Sequence, residues 1–385
     1  MEVRGSAGND PLIGTADDDD FFSSGGSDTI NGLEGFDVIF YDDNPRGITV
    51  NYTSDVVRQI TLGTVEKGDG QVDTFENLEG LYGTPFDDVF IHTEFGQPRF
   101  RGNDGADTYT GSEQAVDEID FVLDPAGVTV DLAAGTATDG FGNAETMTSI
   151  ERVRGSQFDD VITGNESANR IRSLDGNDII NTGGGNDSGS PGMGDDTVDG
   201  GEGIDEFNTD VEYASATITI GGLGNATTVE SSEGFDTFVN VERLSFSDGI
   251  LLLDVGAEEN TGFVYRIYQS AFGRTPDVEG LAFWLGEIDN GTSKEDIADG
   301  IIAASEFADR YGTNVNNMAF VDLLYQNVLG RSGEDAGVSF WVSALESGNL
   351  SRDDTLVLFA DSSETIDLVG SVLGDGLFIS YEQFA

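Results

Sequence analysis

Residues 155–208 read GSQFDDVIT GNESANRIR SLDGNDIIN TGGGNDSGS PGMGDDTVD GGEGIDEFN, six blocks of nine residues without a gap. Position six of the blocks is Asp160, Asn169, Asp178, Asp187, Asp196 and Asp205. Position eight is Ile162, Ile171, Ile180, Gly189, Val198 and Phe207. The same template covers residues 5–40 as GSAGNDPLI, GTADDDDFF, SSGGSDTIN and GLEGFDVIF. It sets Asp10, Asp19, Asp28 and Asp37 at position six and Leu12, Phe21, Ile30 and Ile39 at position eight. Isolated blocks stand at 83–91 (Asp88, Phe90), 102–110 (Asp107, Tyr109) and 231–239 (Asp236, Phe238). A fixed period of this kind marks a stacked repeat architecture. A solvated Gly/Asp loop is the weaker reading, because a loop has no reason to place an apolar residue two positions after each aspartate.

The glycines permit positive φ and a tight turn, so main-chain carbonyls can face an ion. The aspartate adds an anionic oxygen, and Ca²⁺ takes 6–8 oxygens at roughly 2.3–2.6 Å. Residues around position eight then form a short strand with its apolar side chain inward. One block makes half a coil, so alternate blocks stack on one edge. The expected pairs are Asp10 with Asp28, Asp19 with Asp37, Asp160 with Asp178, Asp178 with Asp196, and Asp187 with Asp205. The blocks resemble the RTX nonapeptide GGxGxDxUx, where U is a large apolar residue. The resemblance covers most of 1–240. It implies a parallel β-roll, a calcium-binding β-solenoid, in a protein secreted by a type I transporter. Its metal ligands would be Asp10, Asp19, Asp28, Asp37, Asp88, Asp107, Asp160, Asn169, Asp178, Asp187, Asp196, Asp205 and Asp236. The pattern is broken at Asn169, which is uncharged, and at Gly189, which has no apolar side chain. Ser, Asn or Thr often replaces the first two glycines, and those turns are expected to bind more weakly.

A longer module overlies the nonapeptides. Ile48-Thr49-Val50, Val128-Thr129-Val130 and Ile218-Thr219-Ile220 recur after Asp37, Asp117 and Asp205. Each copy ends in an acidic hinge, at Phe75-Glu76-Asn77-Leu78-Glu79, Ile150-Glu151-Arg152-Val153 and Val241-Glu242-Arg243-Leu244. These read as β segments that extend the roll, without chemistry of their own.

Near Asp254 the period becomes helical. Leu281, Trp284, Leu285 and Ile288 share one face, as do Phe320, Leu323, Leu324 and Val328. Pro276 reads as a first-turn proline. Ser293 with Asp296, and Ser351 with Asp354, read as capping boxes. YQSAFGRTPDVEGLAFW (268–284) aligns with YQNVLGRSGEDAGVSFW (325–341), so this region is an internal duplication. Trp284 and Trp341 are expected to pack the two halves together, with Arg274 and Arg331 closing the following turns. The pattern resembles an uncharacterised helical family related to phycobilisome-linker domains, which often follows RTX repeats in secreted and surface-layer proteins. That resemblance implies location and company rather than a reaction.

The organisation read from the sequence is therefore multidomain. A β-roll with additional β segments covers 1–254, with repeat arrays at 5–40, 83–110, 155–208 and 231–239. An all-α duplicated domain covers 255–365. A tail at 366–385 is a candidate type I secretion signal. The formal net charge is −56 over 385 residues. Such a chain repels nucleic acid and anionic membranes and attracts multivalent cations. It has no cysteine, which excludes disulfides and thiolate metal sites. No basic-then-apolar leader opens it, and no apolar run is long enough to span a bilayer. The single histidine, His92, excludes an HExxH zinc site and is read as a surface residue. The expected function is an extracellular calcium-binding structural, adhesive or surface-layer protein. Its partners would be calcium ions, the transporter, and cell-surface polysaccharide or surface-layer proteins. The alternative is a polysaccharide-active hydrolase with carboxylate catalysis.

Overall fold

The computed structural model describes residues 1–55, 57–221 and 224–384. The chain divides into two compact units. One holds Met1–Ile218 with Thr228–Val241, the other Thr219–Thr227 with Glu242–Ala385. The sequence places the change of character later, at Asp254.

In the first unit each block gives a strand around position eight, and alternate blocks go to two different sheets. Pro11–Ile13 pairs in parallel with Thr29–Asn31, and Asp20–Phe22 with Val38–Phe40. The register aligns Leu12 with Ile30 and Phe21 with Ile39. In the long array one column runs Ile162, Ile180, Val198, Phe238, and the other runs Val153, Ile171, Gly189, Phe207. The apolar members of both columns are buried. Each contributes about 1.5–3 kcal/mol of apolar transfer energy. The gap at Gly189 is filled from the next rung: a Cβ there would lie 3.0 Å from the Phe207 ring.

The longer modules interrupt the parallel ladder. Thr49–Asp55, Ile60–Glu66 and Val72–Glu76 form an antiparallel meander, and so do Thr129–Asp131, Thr136–Thr138 and Ala144–Thr148. The first meander pairs in parallel with Thr29–Asn31 at one side and Val89–His92 at the other. The blocks at 83–91, 102–110 and 231–239 are therefore not isolated. Excursions in sequence separate them, and the sheets reunite them with the arrays. Nor is His92 on the surface. It is the last residue of Val89–His92, and strand alternation turns it inward with Phe90. It is buried 5.0 Å from the Tyr52 ring, with Nδ1 2.7 Å from Asp117 Oδ1.

The second unit holds α1 (Asn260–Phe272), α2 (Val278–Asp289), α3 (Lys294–Ala303), α4 (Ser305–Tyr311), α5 (Asn317–Leu329), α6 (Asp335–Ser347), α7 (Arg352–Ala360) and α8 (Ser363–Leu373). The last four repeat the first four, as the duplicated sequence requires. α1 and α5 both end on a left-handed glycine, Gly273 and Gly330, just before Arg274 and Arg331. Ser351 makes the full capping box with Asp354, and Ser293 accepts from the Asp296 N–H. Pro276 lies outside α2, because Asp277 is the N-cap that accepts from Gly280.

The tryptophans do not join the halves. Trp284 lies against Gly300 of α3, and Trp341 sits 5.1 Å from the Phe359 ring of α7. Each belongs to its own half. The halves meet in one apolar core that includes Phe263, Ile267, Phe320 and Leu356, and polar contacts join them as well: Asn327 Nδ2 donates to the Ser270 and Ala271 carbonyls at 3.0 and 2.9 Å. Gln269 donates back to the Asn327 carbonyl at 2.7 Å. Both carbonyls lie in the last turn of α1, where helix carbonyls lack internal donors. Arg274 pairs with Glu306 at 2.7 Å and Arg331 with Glu334 at 2.8 Å.

The expected tail is part of this fold. α8 buries Val369 and Leu373, and Leu377–Ser380 pairs antiparallel with Gly249–Leu252. Ala385 lies outside the described residues.

Candidate metal centres

The position-six residues form ladders along the turns. Main-chain N–H groups of Asp10, Asp19, Asp160, Asp178 and Asp187 donate to Oδ1 of Asp28, Asp37, Asp178, Asp196 and Asp205, all at 2.8–2.9 Å. All five expected pairs are thus stacked. Asn169 joins by donating to Asp187 at 2.6 Å, Asp88 donates to Asp107 at 2.8 Å, and Asp196 donates to Asp236 at 3.2 Å. Asp236, expected to stand alone, closes a column.

The ladders extend through residues that the nine-residue reading passes over. Asp28 donates to Asp73 at 2.7 Å, Asp37 to Glu79 at 2.9 Å, Asp107 to Glu145 at 2.9 Å and Asp117 to Glu151 at 3.0 Å. The sequence does carry a signal for two of them. GDGQVDTFE (68–76) and GFGNAETMT (140–148) fit the template with Asp73 and Glu145 at position six. Each leads through a left-handed residue, Asn77 or Ser149, into the hinge glutamate.

The second carboxylate oxygen sorts most of the turns into two kinds, which differ at position two. With Ser6, Thr15, Thr84 or Ser156 there, the turn closes on its own aspartate, whereas Ser24 Oγ turns to the Ser6 carbonyl and leaves Asp28. Ser6 N–H and Oγ donate to Asp10 Oδ2 at 2.6 and 2.8 Å, and Thr15 N–H and Oγ1 donate to Asp19 at 2.5 and 3.0 Å. Thr84 and Ser156 do the same for Asp88 and Asp160. The Asn165 N–H closes on Asn169 Oδ1 at 2.8 Å.

In the other kind, position two has positive φ. Leu33, Asn103 and Leu174 lie at 79°, 70° and 84°, and Gly183, Gly192 and Gly201 at 96°, 98° and 85°. For a leucine this conformation costs roughly 1–2 kcal/mol. The Leu33 N–H turns to Asn31 instead. Oδ2 of Asp37, Asp107, Asp178, Asp187 and Asp196 is then buried without a hydrogen-bond partner. The hydroxyls of Ser173 and Thr182, beside Asp178 and Asp187, donate instead to the carbonyls of Pro191 and Gly200.

The carboxyls of the open turns are all raised. Burial pushes the Asp178 and Asp205 carboxyls up to about 7 and Asp196 to about 6. Burial and then the Glu145 charge push Asp107 to about 9, and burial takes Glu145 itself to about 8. Burial also raises Asp37 and Asp187. By contrast, the Ser6 main-chain N–H holds the half-buried Asp10 carboxyl below its ordinary value. Closed turns are not all depressed, since burial lifts Asp88 to about 7.

A buried anionic oxygen without a donor calls for a cation. Room is built in: a Cβ on Gly32 would fall onto Asp37 Oδ2 and the Asn77 carbonyl oxygen. Among the described residues no three His, Cys, Asp or Glu side chains converge on one point. A metal here would draw its carboxylates singly from each turn and its other oxygens from the main chain. That donor set suits a hard cation with high oxygen coordination, which is calcium.

Residues 4–39, 154–188 and 192–207 match the RTX calcium-binding nonapeptide repeat. Residues 254–308 and 298–369 match a domain of unknown function, DUF4214. The chain carries RTX repeats and a C-terminal DUF4214 region. The two overlapping DUF4214 matches divide the helices as the internal duplication does. No curated protein matches the sequence. RTX repeats are calcium-binding elements, and the open turns are where this chain's residues fit the ion. Among the described residues no helix is long and apolar enough to cross a membrane.

Proposed function

We propose that this chain is an extracellular calcium-loaded scaffold, whose RTX roll folds on Ca²⁺ after type I secretion and whose DUF4214 unit engages a cell-surface polysaccharide or surface-layer protein. The observation that carries this reading is the row of buried Oδ2 atoms without partners at Asp37, Asp107, Asp178, Asp187 and Asp196. They accept no hydrogen bond, and a cation is what a buried carboxylate oxygen of that kind calls for. The ions are assigned to the open turns, served by Asp37, Asp107, Asp178, Asp187, Asp196 and Asp205. Asp10, Asp19, Asp88, Asp160 and Asn169 are assigned a supporting role, because donors of their own turns already meet them, and the Met1 amino group at 2.7 Å meets Asp19 Oδ1.

Calcium counted by equilibrium dialysis and elemental analysis tests the assignment. Asp178→Ala is expected to lose about one bound ion per chain. Asp160→Ala, its neighbour in the same column, is expected to keep the wild-type number. Equal losses would remove the distinction between open and closed turns, and a wild type without bound calcium would remove the function.

For the helical unit, support comes from Phe283 and Phe340. They occupy equivalent positions in the two halves and are 58% and 61% exposed, each beside its tryptophan. Large apolar groups held at the surface in equivalent places suit a contact surface. Expressed beside a type I transporter in millimolar calcium, the chain is expected outside the cell and retained on its surface. Phe283→Ser with Phe340→Ser is expected to move it from the surface into the medium. Retention inside the cell would overturn the export route, and unchanged surface attachment would overturn the role of the phenylalanines.

A further inference from the structure

One ladder step already holds a positive charge. Lys67 lies between Ile60–Glu66 and Val72–Glu76, and only 2% of it is exposed. Its ammonium is 2.8 Å from Asp73 Oδ1 and 3.5 Å from Asp28 Oδ2, both side chains fully buried. It donates to Ser23 Oγ at 2.8 Å, the Ser24 carbonyl at 2.7 Å and the Gly26 carbonyl at 3.1 Å. Ser24, Gly26 and Asp28 are positions two, four and six of one nonapeptide, and Asp73 is position six of the block stacked on it. These are the main-chain and carboxylate oxygens that a stacked pair of turns presents to an ion.

Five oxygens surround a group with three protons to donate, which is more than an ammonium needs and close to what a hard cation takes. Lysine is almost never fully buried unless paired, so its place here is set by the two carboxylates. Tyr41 and Ser23 hydroxyls donate to Asp73 Oδ2 at 3.0 and 2.6 Å, leaving Oδ1 for the ammonium.

We propose that the Lys67 side chain is a tethered counter-ion that fills the calcium cage between Asp28 and Asp73, so that this rung closes without drawing an ion from solution. The proposal rests on the reading of the open turns as calcium sites. It removes Asp28 from the calcium ligands of the native chain and makes this cage the place where a new calcium site can be opened by one substitution.

Lys67→Ala removes the ammonium and its stem. In saturating calcium this variant is expected to keep the wild-type circular dichroism and to bind about one more calcium ion per chain than the wild type. Lys67→Met keeps the stem but not the charge, and is expected to gain no ion and to melt below the wild type at every calcium concentration. The chain has only two lysines, Lys67 and Lys294. Amine acetylation of the calcium-loaded wild type, read by mass spectrometry, is therefore expected to modify Lys294 and spare Lys67. An unchanged ion count in Lys67→Ala, failure of that variant to fold in calcium, or ready acetylation of Lys67 overturns the proposal. A wild type that binds no calcium overturns the calcium reading and this proposal with it. An unchanged count beside a calcium-binding wild type overturns only the role of Lys67.

Discussion

In millimolar calcium the chain is expected to melt in two steps, and a chelator is expected to abolish the step that belongs to the roll while leaving the helical step in place. A site held at about 100 times its dissociation constant contributes about 2.7 kcal/mol. Several such sites together reach the whole stability of a typical domain, about 5–15 kcal/mol. Without the ions, the open turns retain stacked, buried carboxylates that repel one another. The helical unit is expected to have no such dependence. Its core is a contiguous apolar cluster that includes Phe263, Ile267, Phe320, Leu324 and Leu356. Its buried arginine Arg266 pairs with Asp361 at 3.0 Å. Calorimetry and far-ultraviolet circular dichroism, with and without chelator, read both steps. A β signal that survives chelation would contradict calcium-driven folding. A helical step that moves by many degrees would reveal a metal site in the DUF4214 region.

Acid is expected to substitute in part for calcium. The folded-state carboxyls of Asp107, Glu145, Asp178 and Asp205 stand at about 9, 8, 7 and 7, with burial the first cause in each. In an unfolded chain such groups titrate near 4. The folded state therefore binds more protons between these limits, and its stability falls as pH rises through the folded values. A tenfold difference in proton affinity between folded and unfolded chain is worth about 1.4 kcal/mol, so each raised carboxylate costs on the order of a few kcal/mol when charged and without a cation. The calcium-free roll is expected to regain β signal as pH is lowered from about 8 toward 5. Calcium binding near neutral pH is expected to release protons, seen as a buffer-dependent heat in calorimetry. A calcium-free roll that loses structure on acidification over this range would show that these carboxylates are charged and paired in the fold.

The repeat, the two columns of apolar residues and the stacked aspartate pairs are legible in the sequence because they depend on a local rule, nine residues per half coil. What stays hidden depends on excursions of variable length. Asp73 and Glu145 sit in good nonapeptides, but each lies in the last strand of a meander that breaks the count. Glu79 and Glu151 read as hinge residues because only the fold shows which N–H groups they meet. His92 reads as superficial because its partner Asp117 lies far along the chain and only the stacking of coils brings the two together. The helical duplication is legible in full. The packing of Trp284 and Trp341 is not, since a repeated residue can face its own half as well as the joint. The open turns are marked by positive φ at position two, where Leu33 and Leu174 adopt a conformation that no leucine would signal from sequence.

The pairing of Leu377–Ser380 with Gly249–Leu252 has a mechanical consequence. Helices α1 to α8 lie between two antiparallel neighbours in one sheet, so the chain enters and leaves the helical bundle at adjacent points. A pull on the two ends of that bundle loads the strand pair first and reaches the helices only after it has parted. The same arrangement makes the bundle a cassette: transplanted into the hairpin of an unrelated sheet, it would need no linker to span its own width. Under load the unit can thus yield at one short seam while its helices stay folded.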